Sequence, residues 1–224
     1  MRENIINSLV LAGLFLALFA IGELLYHQTK MKADDTRKVI HIGTGLLTML
    51  FPVMLQSHWF VLLLCASFGL ILFTSLKFNL LKSINAIDRV SYGSLLYPVA
   101  VYACFCVYTC HNNNYLYFFL PVLTMAISDP VAAVFGKRWP YGKFYVLKDK
   151  KTLVGSLAFF LSACIVSVIL FYFLPQGQYG FAPVCIVTLS SAAIATLAEA
   201  FSAKGFDNLT IPASVVFVLT LLDV

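Results

Sequence analysis

Apolar blocks of about 20 residues, separated by short charged gaps, run the length of this 224-residue chain. A helix needs about 20 largely apolar residues to cross a bilayer. Lipid offers the backbone no hydrogen-bond partners, so each block must satisfy its own peptide groups as a helix. A transmembrane β-barrel would alternate in polarity along each strand, and these blocks do not. Only 11% of residues are charged and 61% are hydrophobic, whereas a soluble domain carries roughly a quarter charged residues. The chain reads as an all-α, polytopic integral membrane protein of one domain, residues 1–224. About eight transmembrane helices are expected, near 5–27, 39–56, 58–77, 93–110, 114–136, 152–174, 180–203 and 209–224. The last is short, and seven spans would also fit. The stretch from Phe78 to Tyr92 is polar enough to be a loop or a surface helix. The first block is too long for a signal peptide and lacks a small-x-small cleavage site.

Charge orients the chain. Of the 15 basic residues, all but Arg2 fall in loops on one side, running from Lys30, Lys32, Arg37 and Lys38 through Lys77, Lys82 and Arg89. The series continues with Lys137, Arg138, Lys143, Lys148, Lys150 and Lys151, and ends at Lys204. Cytoplasmic loops carry such an excess. The N-terminus is therefore expected outside, with the basic loops and the active face in the cytoplasm. No basic tract suggests nucleic acid, and nothing in the chain sets an oligomeric state. The six cysteines sit in or beside apolar blocks without a C-x-x-C pair, as small buried hydrophobes do. Glu23, Asp129 and Glu199 lie in or at the inner ends of apolar blocks on the basic side. Each costs a few kcal/mol there, on the order of 2.5–3.5, unless solvated or paired. Interfacial salt bridges would explain them singly; together they point to a shared polar site.

The most informative segment runs from Ser128 to Ser156. Asp is a favoured N-cap and Pro a favoured first helical residue. The fifth span is thus expected to break at Ser128 and restart at Pro130, unless Pro130 only kinks it. Gly136 and Gly142 flank a basic, aromatic turn, where glycine permits close backbone approach or positive φ. Lys150, Lys151, Thr152, Gly155 and Ser156 follow. Thr152 should cap the sixth span, where helix amides, the positive dipole end and two lysines together suit a phosphate. The lysines alone would equally serve topology and lipid headgroups. Arg37, Lys38, His41 and Gly43 open the second span, with a guanidinium fork suited to phosphate. His41 shares their face, although alone it would more often be a satisfied buried histidine. Glu199, Asp207 and Asn208 surround the last loop, and such hard oxygen ligands suit Mg²⁺ beside substrate phosphates. Asn208 could instead cap the last helix. Walker A, Rossmann, zinc and nucleophile-elbow patterns are all absent.

Taken together, R-K-x-x-H at 37–41, D-x-x-A at 129–132, Gly136, K-x-T-x-x-G-S at 150–156, Glu199 and D-N-x-x-x-P at 207–212 resemble the CTP-dependent lipid kinases. That family includes phytol, farnesol and dolichol kinases and CTP-dependent diacylglycerol kinase. The resemblance implies transfer of the γ-phosphate of CTP to the hydroxyl of a membrane lipid alcohol. It places Asp129 and the Lys150–Ser156 segment at the CTP site. The related phosphatidate cytidylyltransferases share a distant architecture, and Lys137-Arg138 and Lys148-Asp149 echo only the first part of their signature. A non-catalytic transporter or scramblase is a third reading, disfavoured because the charges stop at one membrane end.

The resulting expectation names Asp129, His41 and Lys151 as catalytic, with Asp129 the general base and His41 its rival. Arg37, Lys38, Gly136, Lys150, Lys151, Thr152, Gly155, Ser156 and Asn208 would bind nucleotide. Asp129, Glu199 and Asp207 would hold Mg²⁺ or another divalent cation. CTP is the expected donor, and the lipid bilayer and a membrane lipid alcohol are the expected partners.

Overall fold

The computed structural model describes residues 2–29, 31–78, 80–86, 91–147, 149–174 and 179–224. Lys30, Arg89 and Lys148, named above for their charge, lie outside the described residues.

The chain is helical almost throughout. In order, the elements are α1 (Arg2–Gln28), α2 (Ala33–Thr48), α3 (Phe51–Met54), α4 (His58–Lys77), α5 (Lys82–Asn85), α6 (Gly93–Cys110) and α7 (Leu116–Leu123). A π-helical turn (Thr124–Ser128) leads into α8 (Asp129–Arg138), then β1 (Lys143–Val146), β2 (Asp149–Thr152), α9 (Leu153–Phe173), α10 (Phe181–Phe201) and α11 (Asp207–Leu222). Among the described residues, six helices are long and apolar enough to cross a membrane, the α7–α8 run counting as one. The helices α2 and α11, at 16 residues each, fill the places of the remaining expected spans. This is a multi-pass membrane architecture. Large apolar side chains such as Leu9, Leu70, Tyr172 and Phe181 are exposed on its periphery, where a bilayer would cover them.

The α7–α8 run forms the axis of the bundle. Of its most apolar stretch 56% is buried, against 28–39% for the other spans. It packs against α2, α6, α9 and α11. Tyr117, Phe118, Met125, Phe159 and Leu219 supply its nearly solvent-free contacts. Around this axis α1 pairs with α2, α4 with α6, α8 with α9, and α10 with both α9 and α11.

Two expectations are corrected here. The helix does not break at the Asp-Pro step. Ser128 and Asp129 both keep right-handed helical dihedrals, so Asp129 is not an N-cap. The strain of Pro130 is taken up by the π turn directly before it; a π turn widens the helix by one residue. The basic, aromatic turn after α8 is also more ordered than expected. It is an antiparallel hairpin pairing Lys143 with Thr152 and Val146 with Asp149. The polar stretch after α4 contains the single-turn helix α5.

Candidate active site

The hairpin positions the lysines. Successive strand residues point to opposite faces, so Lys150 is exposed while Lys151 is half-buried. Lys151 Nζ donates to Glu199 at the end of α10 and lies 3.9 Å from an Asp207 carboxylate oxygen at the start of α11. Burial works against its charge, but Glu199, Asp207 and Asp129 outweigh it and hold the ammonium above the usual lysine range. The next residue, Thr152, caps α9, its hydroxyl accepting from the Gly155 amide at 3.0 Å.

These groups border a cavity of about 440 Å³ between the ends of α2, α8, α9, α10 and α11. Of the candidates read from the sequence, these line it: Arg37, Lys38 and His41; Asp129 and Gly136; Lys150, Lys151, Thr152, Gly155 and Ser156; Glu199, Asp207 and Asn208. Residues more than 160 positions apart thus share one wall because α2, α8 and α11 all end there.

Their local engagements sort them. Lys38 Nζ pairs with Asp34 at 2.8 Å and Asp35 at 3.2 Å. Arg37 donates to the Ser91 hydroxyl at 2.9 Å. The Asn208 side-chain amide is buried and donates to the Gly93 carbonyl at 2.8 Å, tying α11 to α6. Gly136 lies within α8 rather than in the turn. A Cβ on Gly136 would sit 2.6 Å from the Thr152 hydroxyl, and one on Gly155 3.0 Å from the Ala132 carbonyl. Both glycines therefore serve the close crossing of α8 and α9. The start of α9 has fewer free amides than expected. Leu153 donates to the Gly142 carbonyl at 3.0 Å and Gly155 to Thr152. What remains is the positive end of the helix dipole and the Ser156 hydroxyl, buried without a hydrogen-bond partner.

His41 is held by the π turn. In that register the Met125 carbonyl would pair with the amide of residue 130, which is proline and has none. His41 Nε2 occupies that acceptor at 3.2 Å. A carbonyl can only accept, so Nε2 carries a proton, and in the neutral tautomer Nδ1 then holds the lone pair. Tyr97 packs edge-on against the ring at 4.8 Å and donates to the His41 carbonyl at 3.2 Å.

Glu23 does not join the site. It accepts from the Ser83 amide at 2.9 Å and pairs with His27 at 3.3 Å, so its placement near the basic side reflects interfacial pairing. Among the described residues no three carboxylate, imidazole or thiol groups form a ready metal cage, because Glu199 and Asp207 are arranged around Lys151. Mg²⁺ commonly takes only one or two protein carboxylates and completes its shell with water and substrate phosphates. Asp129 and Asp207 fit that donor set.

Sequence reasoning gave no site role to three residues that shape the cavity. Asp34 bridges Lys38 and Lys137, the latter at 3.6 Å. Asp149 accepts from the Lys204 amide at 2.6 Å and pins the hairpin to the last loop. Gly205, at φ +86°, passes so close to Gly93 that a Cβ would come within 2.4 Å of its nitrogen.

The chain is similar to a phytol kinase from Synechocystis sp., with 28% identity over 203 residues, 88% of this chain and 82% of that protein. The resemblance to the lipid kinases holds. No protein-family description matches the chain, nor does any solved structure. For a lipid kinase the geometry is apt. Lysines, carboxylates and a helix N-terminus line one cavity at an end of the helical bundle.

Proposed function

We propose that this protein is a CTP-dependent kinase of a membrane lipid alcohol. It would transfer the γ-phosphate of CTP to the alcohol and release CDP at the cytoplasmic membrane interface. The observation that carries this reading is the polar cavity, where Asp129, Lys151, Glu199, Asp207 and the start of α9 meet at one end of the bundle. Its volume suits a nucleotide-sized ligand, since ligand sites commonly span about 300–1,000 Å³.

Phosphoryl transfer depends chiefly on positioning and on charge neutralisation. In this reading Lys151, oriented by Glu199, neutralises charge on the transferring group, with the Ser156 hydroxyl and the α9 dipole beside it. Lys150 and Arg37 meet the remaining phosphates from the mouth and the α2 side. Asp129 accepts the proton of the lipid hydroxyl as its oxygen bonds to the γ-phosphorus and the bond to the bridging oxygen of CDP breaks. His41 Nδ1 is the alternative acceptor. Asp207 would hold a nucleotide-borne Mg²⁺, which would supply further charge neutralisation, leaving Asp129 to the proton.

The test is direct. Purified protein in nanodiscs is given γ-labelled CTP, ATP or GTP with a panel of lipid alcohols. Labelled lipid phosphate and CDP are expected, with CTP preferred. Release of pyrophosphate with a CDP-linked lipid would replace the kinase by a cytidylyltransferase. Absence of any nucleotide turnover with every alcohol would favour the transporter reading.

A further inference from the structure

A second cavity, apolar and narrow, backs onto the polar one. It measures about 80 Å³ and lies between the α1–α2 pair and the α4–α6 pair. Phe15, Phe19, Leu64, Phe68 and Val101 form its hydrocarbon walls. Arg37, His41 and Asn208 line both cavities and form the polar neck between them. Beyond the neck Thr44, Thr48, Ser94 and Tyr97 are the main polar groups on the slot, and the Thr48 hydroxyl is spent on the Gly45 carbonyl.

We propose that this slot holds the hydroxyl-proximal part of a single-chain lipid alcohol and delivers its hydroxyl through the neck to the polar cavity. The inference rests on the lipid-kinase reading and narrows its acceptor class. The slot is far smaller than the roughly 300–1,000 Å³ that encloses a drug-sized ligand, so it admits one chain near the head group. In a diacylglycerol the two ester-linked chains leave from the two glycerol carbons that follow the free hydroxymethyl group. Both would have to enter the same slot for that hydroxyl to reach the neck. A linear alcohol has only one chain to place, and aromatic and aliphatic walls favour its hydrocarbon over any polar branch. The location also separates the substrates. The chain enters among α1, α2, α4 and α6, while the donor's phosphates lie against α8, α9, α10 and α11, with Arg37 of α2 at the boundary between them.

The experiment uses the full-length protein in nanodiscs. A long single-chain primary alcohol carrying a diazirine close to its hydroxyl end is photo-crosslinked, and the adducts are mapped by mass spectrometry. Adducts are expected on α1, α2, α4 and α6 at the slot, suppressed by an unlabelled single-chain alcohol and not by diacylglycerol. Adducts confined to the outer faces of α8–α11, or equal suppression by diacylglycerol, would overturn the proposal. The readout needs no turnover. Slot adducts in a protein that phosphorylates no alcohol would sink the kinase reading and leave the slot standing; turnover with adducts elsewhere would do the reverse. As a second measurement, Val101→Phe narrows the slot and should lower kcat/KM for long single-chain alcohols by roughly tenfold or more, with CTP affinity retained. An unchanged kcat/KM in folded Val101→Phe protein would count against the slot.

Discussion

Replacing Lys151 by methionine removes one charge from the most tightly built part of the site, and two different losses follow. The Lys151 side chain is 16% exposed and that of Glu199 only 5%. Removing one member of such a buried pair costs about 3–5 kcal/mol, because the other charge is left unpaired. The pair borders a polar cavity, so the lower end, about 3 kcal/mol, is the expected loss of stability. The second loss is catalytic. A charged contact that acts mainly in the transition state is worth about 2.7–4 kcal/mol, or 10²–10³ in kcat. A single substitution confounds the two losses, and the pair Lys151→Met with Glu199→Gln separates them. Neutralising Glu199 removes the stranded carboxylate, so thermal stability in detergent should recover most of the way. Recovery should be incomplete, because Asp207 still faces the site 3.9 Å from the original ammonium. Turnover of γ-labelled CTP should stay depressed by about 10² or more in the double variant. If activity returns together with stability, Lys151 only neutralises Glu199 and the phosphate assignment is wrong.

Asp129→Asn should keep much of its CTP affinity while turnover collapses; loss of CTP binding in equilibrium titration would make Asp129 a nucleotide or metal ligand instead. His41→Gln is its counterpart, and if only that variant separates binding from turnover, His41 is the base. Chelating divalent cations should abolish lipid phosphorylation and excess Mg²⁺ restore it, whereas unchanged turnover in chelator would remove the metal from the scheme. Gly136→Ala drives a Cβ to 2.6 Å from the Thr152 hydroxyl and should cost about 1–3 kcal/mol by overpacking; a thermal midpoint equal to that of the unaltered protein would show that the α8–α9 crossing can give way. Cysteines placed at Lys143 should resist an impermeant thiol reagent in intact cells, because the basic loops are expected inside; labelling from outside would invert the topology.

Much of the arrangement is written in local patterns. Block length predicts the helices, and Thr152 before an apolar run predicts the cap that the structure has. The convergence of Arg37, Asp129, Lys151 and Asp207 could not be derived from spacing. It was reached through the resemblance and through their shared membrane side, and the cavity then joins them. What stayed illegible depends on partners distant in sequence. Glu23 and Glu199 look alike in the chain, yet one meets a backbone amide and a histidine while the other meets Lys151. The hairpin is hidden because Lys143 to Thr152 is short, and its strand pairing rather than its composition defines it. The Asp-Pro step carries a strong cap signal, but tertiary packing of the most buried span favours a continuous helix with a π turn.

That π turn links the two halves of the bundle. A continuous α-helix would pair the Met125 carbonyl with the amide of residue 129, and a break would leave it without a helical partner. The wider register aims it at Pro130, which has no amide, so the carbonyl is available to hold His41. His41 is thereby fixed on α2 by the axis that also carries Asp129, four residues after Met125. Motion of α2 relative to that axis would strain this hydrogen bond and the Tyr97 contact that backs the ring. The two proton-accepting candidates are thus positioned by one structural device, His41 at the neck where the apolar slot meets the polar cavity and Asp129 on the wall of the polar cavity. A lipid hydroxyl arriving there needs no charge at the membrane midplane, which accords with a set of ionisable residues gathered at one end of the helices.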